Sequence, residues 1–191
     1  MKKSMLLYSF IFILLAVIMW QWVSTETAKA TIGKQAMVES AYKRQLQTLS
    51  GIGDLASVHY HADVKVYVNG KSIDFSEHKY QLTNDYIHFE EGIGDVIHTH
   101  ASGLAIGHMF NAVGMKLANN CLVVDKTQYC NDGKNTLKFY VNGKPNNEFQ
   151  NYEIKDLDKY LISYGDESQS EIQEQLASIT NLAPKYSADT E

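Results

Sequence analysis

Residues 58–68, "VHYHADVKVYV", alternate without a break. Val58, Tyr60, Ala62, Val64, Val66 and Val68 fall on one side of an extended chain, and His59, His61, Asp63, Lys65 and Tyr67 on the other. Successive strand side chains point to opposite faces, so the stretch predicts a strand with one apolar and one polar face. Asn69-Gly70 follows, the strongest short hairpin signal because both residues tolerate positive φ. Such a strand cannot stand alone. It demands a sheet, and a layer to cover its apolar face.

The chain beyond it supplies both. "KSIDF" reads as the return strand of the hairpin. In "YIHFE", Ile87 and Phe89 alternate with Tyr86, His88 and Glu90. After a "GIGD" turn, "VIHTHA" is a strand with His98 and His100 on one face. "SGLAIGHMFNAVGMKL" predicts a helix with Ser102 as N-cap and a buried stripe of Ile106, Met109, Phe110 and Val113. His78 and His108 lie outside these patterns and read as surface residues. "TLKFYVNGK" repeats the Asn-Gly hairpin. Its likeness to "VKVYVNGK" reflects shared turn chemistry rather than a repeat, because the flanks differ. A closing strand at 160–164, a short amphipathic helix with Ile172, Leu176 and Ile179, and a frayed tail, "PKYSADTE", complete the reading. The order predicts an α+β domain, strands with one helix packed across them.

Two cysteines stand in "CLVVDKTQYC". A two-residue turn at Asp125-Lys126 places Cys121 opposite Cys130, within disulfide reach. Two free buried thiols are the alternative. There is no C-x-x-C, so a thioredoxin-type redox centre has no support.

The other strong feature is N-terminal. Lys2 and Lys3 precede an apolar run, residues 5–23, interrupted only by Tyr8, Ser9 and Gln21. Signal-peptide cores usually hold about 7–15 apolar residues. This run is longer and suffices to span about 30 Å of hydrocarbon as a helix. Trp20 and Trp22 suit the far interface, and the lysines should stay inside, placing the rest of the chain outside the cytoplasm. Ala28-Lys29-Ala30 offers a cleavage site as the rival reading. Both readings export the remainder. Residues 1–25 are thus read as an anchor, 26–53 as a helical stalk, 54–166 as the domain, and 167–191 as a short helix and tail. The formal charge of −5 argues against electrostatic nucleic-acid binding.

Four of the seven histidines occur as two H-x-H pairs, His59 with His61 and His98 with His100. On a strand each pair presents two imidazoles side by side. The apolar opposite face turns them away from the main core, and His88 joins the same set. If these strands are neighbours, the rings converge. Neutral imidazole ligates zinc, copper, nickel or iron, and a nitrogen-rich set without thiolate leans toward copper(II) or zinc. Asp63 would be a fifth ligand or would orient a ring. The rival readings are a solvated, pH-responsive patch and unrelated placement. Glu90 and Asp63 are general-base candidates by composition only.

Residues 139–165, "FYVNGKPNNEFQNYEIKDLDKYLISYG", resemble the closing half of the β-grasp-like module at the C-terminus of transcobalamin-type proteins. Residues 58–165 also resemble uncharacterised membrane-anchored archaeal proteins with paired H-x-H strands and two cysteines. These resemblances imply an exported β-grasp-like domain and bring no activity. The transcobalamin-type pattern lacks the paired histidines, so cobalamin binding is not carried over. The expected role is a membrane-anchored, extracytoplasmic copper- or zinc-binding domain, non-enzymatic, for binding or delivery. An accessory subunit of a membrane complex is the second reading. A zinc hydratase- or hydrolase-type enzyme is the third, because three histidines with one open position would activate water.

Overall fold

The computed structural model describes residues 2–188, with the side chains of 11–41 and 50–187. Tail residues 189–191 and the side chains of the apolar run before Ile11 lie outside the described residues. The chain divides into two compact units between Ser50 and Gly51.

The first unit is one unbroken helix, α1 (Lys2–Ser50). Over Ile11–Ala41 it is long and apolar enough to cross a membrane. Phe12, Leu15, Met19, Trp20 and Trp22 are all exposed along it.

The second unit is mixed α and β. Along the chain run β1 (Tyr60–Val68), β2 (Lys71–Ser72), β3 (Ile87–His88), β4 (Val96–Thr99), α2 (Ile106–Ala112), β5 (Lys116–Leu117), β6 (Cys121–Val124) and β7 (Thr127–Cys130). Then come β8 (Thr136–Val141), β9 (Lys144–Pro145), β10 (Lys159–Gly165), α3 (Gln169–Ala177) and α4 (Ala183–Ala188). The main sheet has the order β3-β4-β1-β10-β8-β9, with β2 also paired to β1. β1 and β10 run parallel at its centre, and the flanking pairs are antiparallel. A smaller sheet, β5-β6-β7, carries the cysteines.

The alternation sets the core. Ala62, Val64 and Val66 of β1 join Ile97 of β4, Ile87 and Phe89 beside β3, and Tyr160 and Ile162 of β10. Ile106, Met109 and Phe110 of α2 are fully buried against this face. Three two-residue turns use the expected chemistry. Asn69-Gly70, Asn142-Gly143 and Asp125-Lys126 all have positive φ at both positions. The last pairs Cys121 with Cys130, which form a disulfide.

Several expected elements are shorter. The return strand after Asn69-Gly70 keeps only Lys71 and Ser72, because Phe75 turns into the core. Strand β3 covers two residues of "YIHFE", bounded by Asn84, whose side chain accepts the Tyr86 N–H, and by the Glu91-Gly92 turn. Ser102 does not cap α2, and Ala105 is the N-cap instead. The chain at Gly103 adopts φ +75°, and Gly53 N–H bonds to the Ser102 carbonyl. The turn therefore belongs to a contact with residues 51–53, and the helix starts one turn later. His108 is half-buried rather than on the surface, with its Nδ1 accepting the Ala105 N–H at 2.9 Å. His78 is exposed, as expected.

The tail is the largest departure. Residues 183–188 are helical and pack on β1. They cover the polar face of the first strand, which the alternation alone leaves open to water.

Candidate metal centre

Pairing of β3, β4 and β1 turns the histidine-bearing faces into a grid. His61 lies opposite His98, and His98 opposite His88. The same antiparallel registers, continued one pair outward, set His59 beside His100. Imidazole centroids are 4.6 Å apart for His59–His61 and His61–His98, 4.7 Å for His59–His100 and 5.0 Å for His88–His100. All five outward histidines of the sequence reading thus meet in one cluster. Among the described residues, His59, His61 and His98 offer ring nitrogens that all lie within 4.8 Å of one another.

The cluster is not a solvated patch. His61 and His98 are each 1% exposed. His88 is buried, His100 half-buried, and His59 exposed at the rim. The cover is α4. The Tyr186 ring stands 5.1 Å from that of His98 and 5.7 Å from that of His61.

Hydrogen bonds set two tautomers. The Ser187 hydroxyl donates to Asp156 Oδ1, a carboxylate that only accepts. The Ser187 oxygen therefore receives the His61 Nδ1–H at 3.0 Å, which leaves a lone pair on Nε2. His88 Nδ1–H donates to the Asn84 carbonyl at 2.8 Å, again leaving the lone pair on Nε2. A ligating imidazole that gives its other N–H to a hydroxyl or carbonyl is the usual arrangement at metal sites.

Burial and mutual repulsion favour the neutral form of His61, His98 and His100. The His98 pKa is pushed down to about 4, first by burial, with the Glu90 carboxylate opposing. His61 and His100 are also lowered, chiefly by burial and then by His59. Neutral rings have the protonation state that ligation requires.

Asp63 shares the face but is committed elsewhere. Its Oδ1 accepts from the Thr180 hydroxyl and Leu182 N–H, and its Oδ2 from Ala183 N–H at 3.2 Å. It is fully buried and ties down the start of α4. Its place is in the anchor of the cover, not among the imidazoles.

Glu90 is the acidic residue that does reach the cluster. Its Oε1 is 3.1 Å from His98 Nδ1 and its Oε2 3.3 Å from His88 Nε2. The Tyr86-His88-Glu90 alternation already put it on the right face, where composition had suggested only a general base. Asp156, Tyr186 and Ser187 carried no local signal, since a terminal stretch rich in small and polar residues reads as tail.

The disulfide, the neighbouring histidines and the apolar helix are therefore features of one chain. The oxidised cysteine pair suits an oxidising compartment. No family model, no curated protein and no solved structure matches the chain.

Proposed function

We propose that the second unit is a copper- or zinc-binding domain held outside the cytoplasm by α1, for binding or delivery of the ion rather than catalysis. The observation that carries this reading is the close approach of the His59, His61 and His98 nitrogens, with His61 oriented by Ser187. His100 flanks them. Imidazole-rich sites suit copper(II) and zinc. Within the cluster one exposed histidine, His59, leads to buried partners. That arrangement favours retention of a small ion over the approach of a substrate. Export is supported by the exposed apolar side chains of α1, which find their proper solvent in hydrocarbon, and by the disulfide. The central parallel β1–β10 pair with antiparallel flanks supports a β-grasp-like classification, in line with the resemblance to exported β-grasp-like proteins.

The test is calorimetric titration of the untagged, metal-free full chain in detergent with Cu²⁺ and with Zn²⁺ at pH 7.5. One of them is expected to bind well below millimolar. Failure of both to bind tighter than millimolar would remove the reading.

A further inference from the structure

The paired side chains at the β3 edge of the cluster pose a problem of charge. His88 Nε2 and His98 Nδ1 are both buried and have no hydrogen-bond partner. Their side chains are 9% and 2% exposed. Each lies beside an oxygen of the same carboxylate, Glu90, at 3.3 and 3.1 Å, without the alignment of a hydrogen bond. The His88 ring cannot relieve this by turning its N–H toward Glu90, because that proton sits on Nδ1 and is given to the Asn84 carbonyl. A lone pair on His88 Nε2 thus faces a carboxylate oxygen, and two buried ring nitrogens share one carboxylate. Buried polar atoms left so are costly. A positive charge between them removes the conflict.

The spacing suits an ion. Two ligands at about 2.0–2.2 Å from one metal, with angles of about 90–110° at the ion, stand roughly 2.8–3.6 Å apart, a spacing that needs no hydrogen-bond alignment. Both the His88–Glu90 and His98–Glu90 contacts fall in that range.

We infer that the cluster holds a second cation position, formed by His88 Nε2, His98 Nδ1 and the Glu90 carboxylate, beside the one offered by His59 and His61. His98 stands between the two, with Nδ1 toward Glu90, and two ions require its Nε2 to serve the His61 side. The two positions share one buried ring, so the site takes a pair of divalent ions, zinc or copper. The inference rests on the metal-binding reading above and specifies its stoichiometry and ligands.

The experiment is metal content and affinity of the untagged full chain in detergent, stripped and then equilibrated with excess Zn²⁺, and separately with Cu²⁺. Unbound metal is removed and bound metal is counted by mass spectrometry. The wild-type chain is expected to retain two ions of at least one of these metals. Glu90→Gln and His88→Ala should each retain one, with the affinity of the remaining ion within about threefold of wild type. His59→Ala should also retain one, and His98→Ala should weaken both. Circular dichroism and thermal melts confirm that each variant is folded. Glu90 is one-third exposed, so its amide variant fits without repacking. One ion in the wild type, lost on His59→Ala but unchanged in Glu90→Gln, overturns the second position and leaves the first reading intact. Two ions retained in either Glu90→Gln or His88→Ala also overturns it. No ion in the wild type removes both.

Discussion

Ser187 is 126 residues beyond His61 in the chain and 3.0 Å from its ring. That hydroxyl decides which nitrogen of His61 is available, so Ser187→Ala should lower metal affinity about tenfold while leaving the fold intact, the usual effect of losing an orienting partner. Titration calorimetry of the variant measures it. His61→Ala, which removes a ligand, should cost more, and His78→Ala on the exposed side of the domain should cost nothing. The lowered histidine pKa values bear on the metal-free protein too. Well above pH 6.5, His61, His98 and His100 are neutral folded and unfolded alike, and contribute no pH dependence. As pH falls below 6.5 the unfolded chain takes up protons first, because the folded rings, His98 above all at about 4, resist them. Stability therefore falls with pH in the window from 6.5 toward 4, by at most about 1.4 kcal/mol per pH unit for His98 alone. Urea unfolding of the apo protein at pH 7 and pH 5 should show the loss, and a stability independent of pH over that range would contradict the burial of these rings.

At the scale of elements, α4 is a short helix whose start is tied down by one carboxylate. Asp63 accepts hydrogen bonds from Thr180, Leu182 and Ala183. Asp63→Ala should destabilise the unit by about 1–3 kcal/mol, as loss of a charged acceptor from buried donors does. It should also speed amide exchange at Leu182 and Ala183 by at least tenfold, since local opening then costs far less. Exchange measured by mass spectrometry or NMR reads this, and unchanged protection would show that α4 is held by other contacts. In the smaller sheet, the Cys121–Cys130 link closes a short loop. Replacing both cysteines by serine should cost about 2–3 kcal/mol on the chain-entropy estimate. Thiol titration of the unreduced, unfolded wild-type chain should find no free cysteine.

At the scale of the whole molecule, α1 is a 49-residue helix, about 74 Å long at 1.5 Å per residue. Its apolar part needs only about 30 Å to span hydrocarbon. The full chain should therefore stay in the membrane fraction after an alkaline carbonate wash, and release of the native protein with Thr31 at its N-terminus would show a cleaved signal instead.

Much of the site was legible in the sequence, and the reason is that strand alternation is a local property. A period of two assigns His59 and His61, His98 and His100, and His88 with Glu90 to one face of their own strands, whatever the rest of the chain does. The same local physics set the turns at Asn69-Gly70, Asp125-Lys126 and Asn142-Gly143, and so the cysteine pair. Element ends were less legible, as Ser102 illustrates. It has the chemistry of an N-cap, but the contact between residues 102–103 and 51–53 draws the chain away before the helix begins. Which strands are neighbours, and what lies on the polar face, depended on contacts between residues far apart in the chain. The His61–His98–His88 row exists because β4 lies between β1 and β3. The burial of that row exists because Asp63 draws in a six-residue tail helix too short to be specified by its own periodicity. Local residue pattern determined which side chains could serve as ligands. Only long-range packing decided that they are close, and that His61, His88 and His98 are closed off from water.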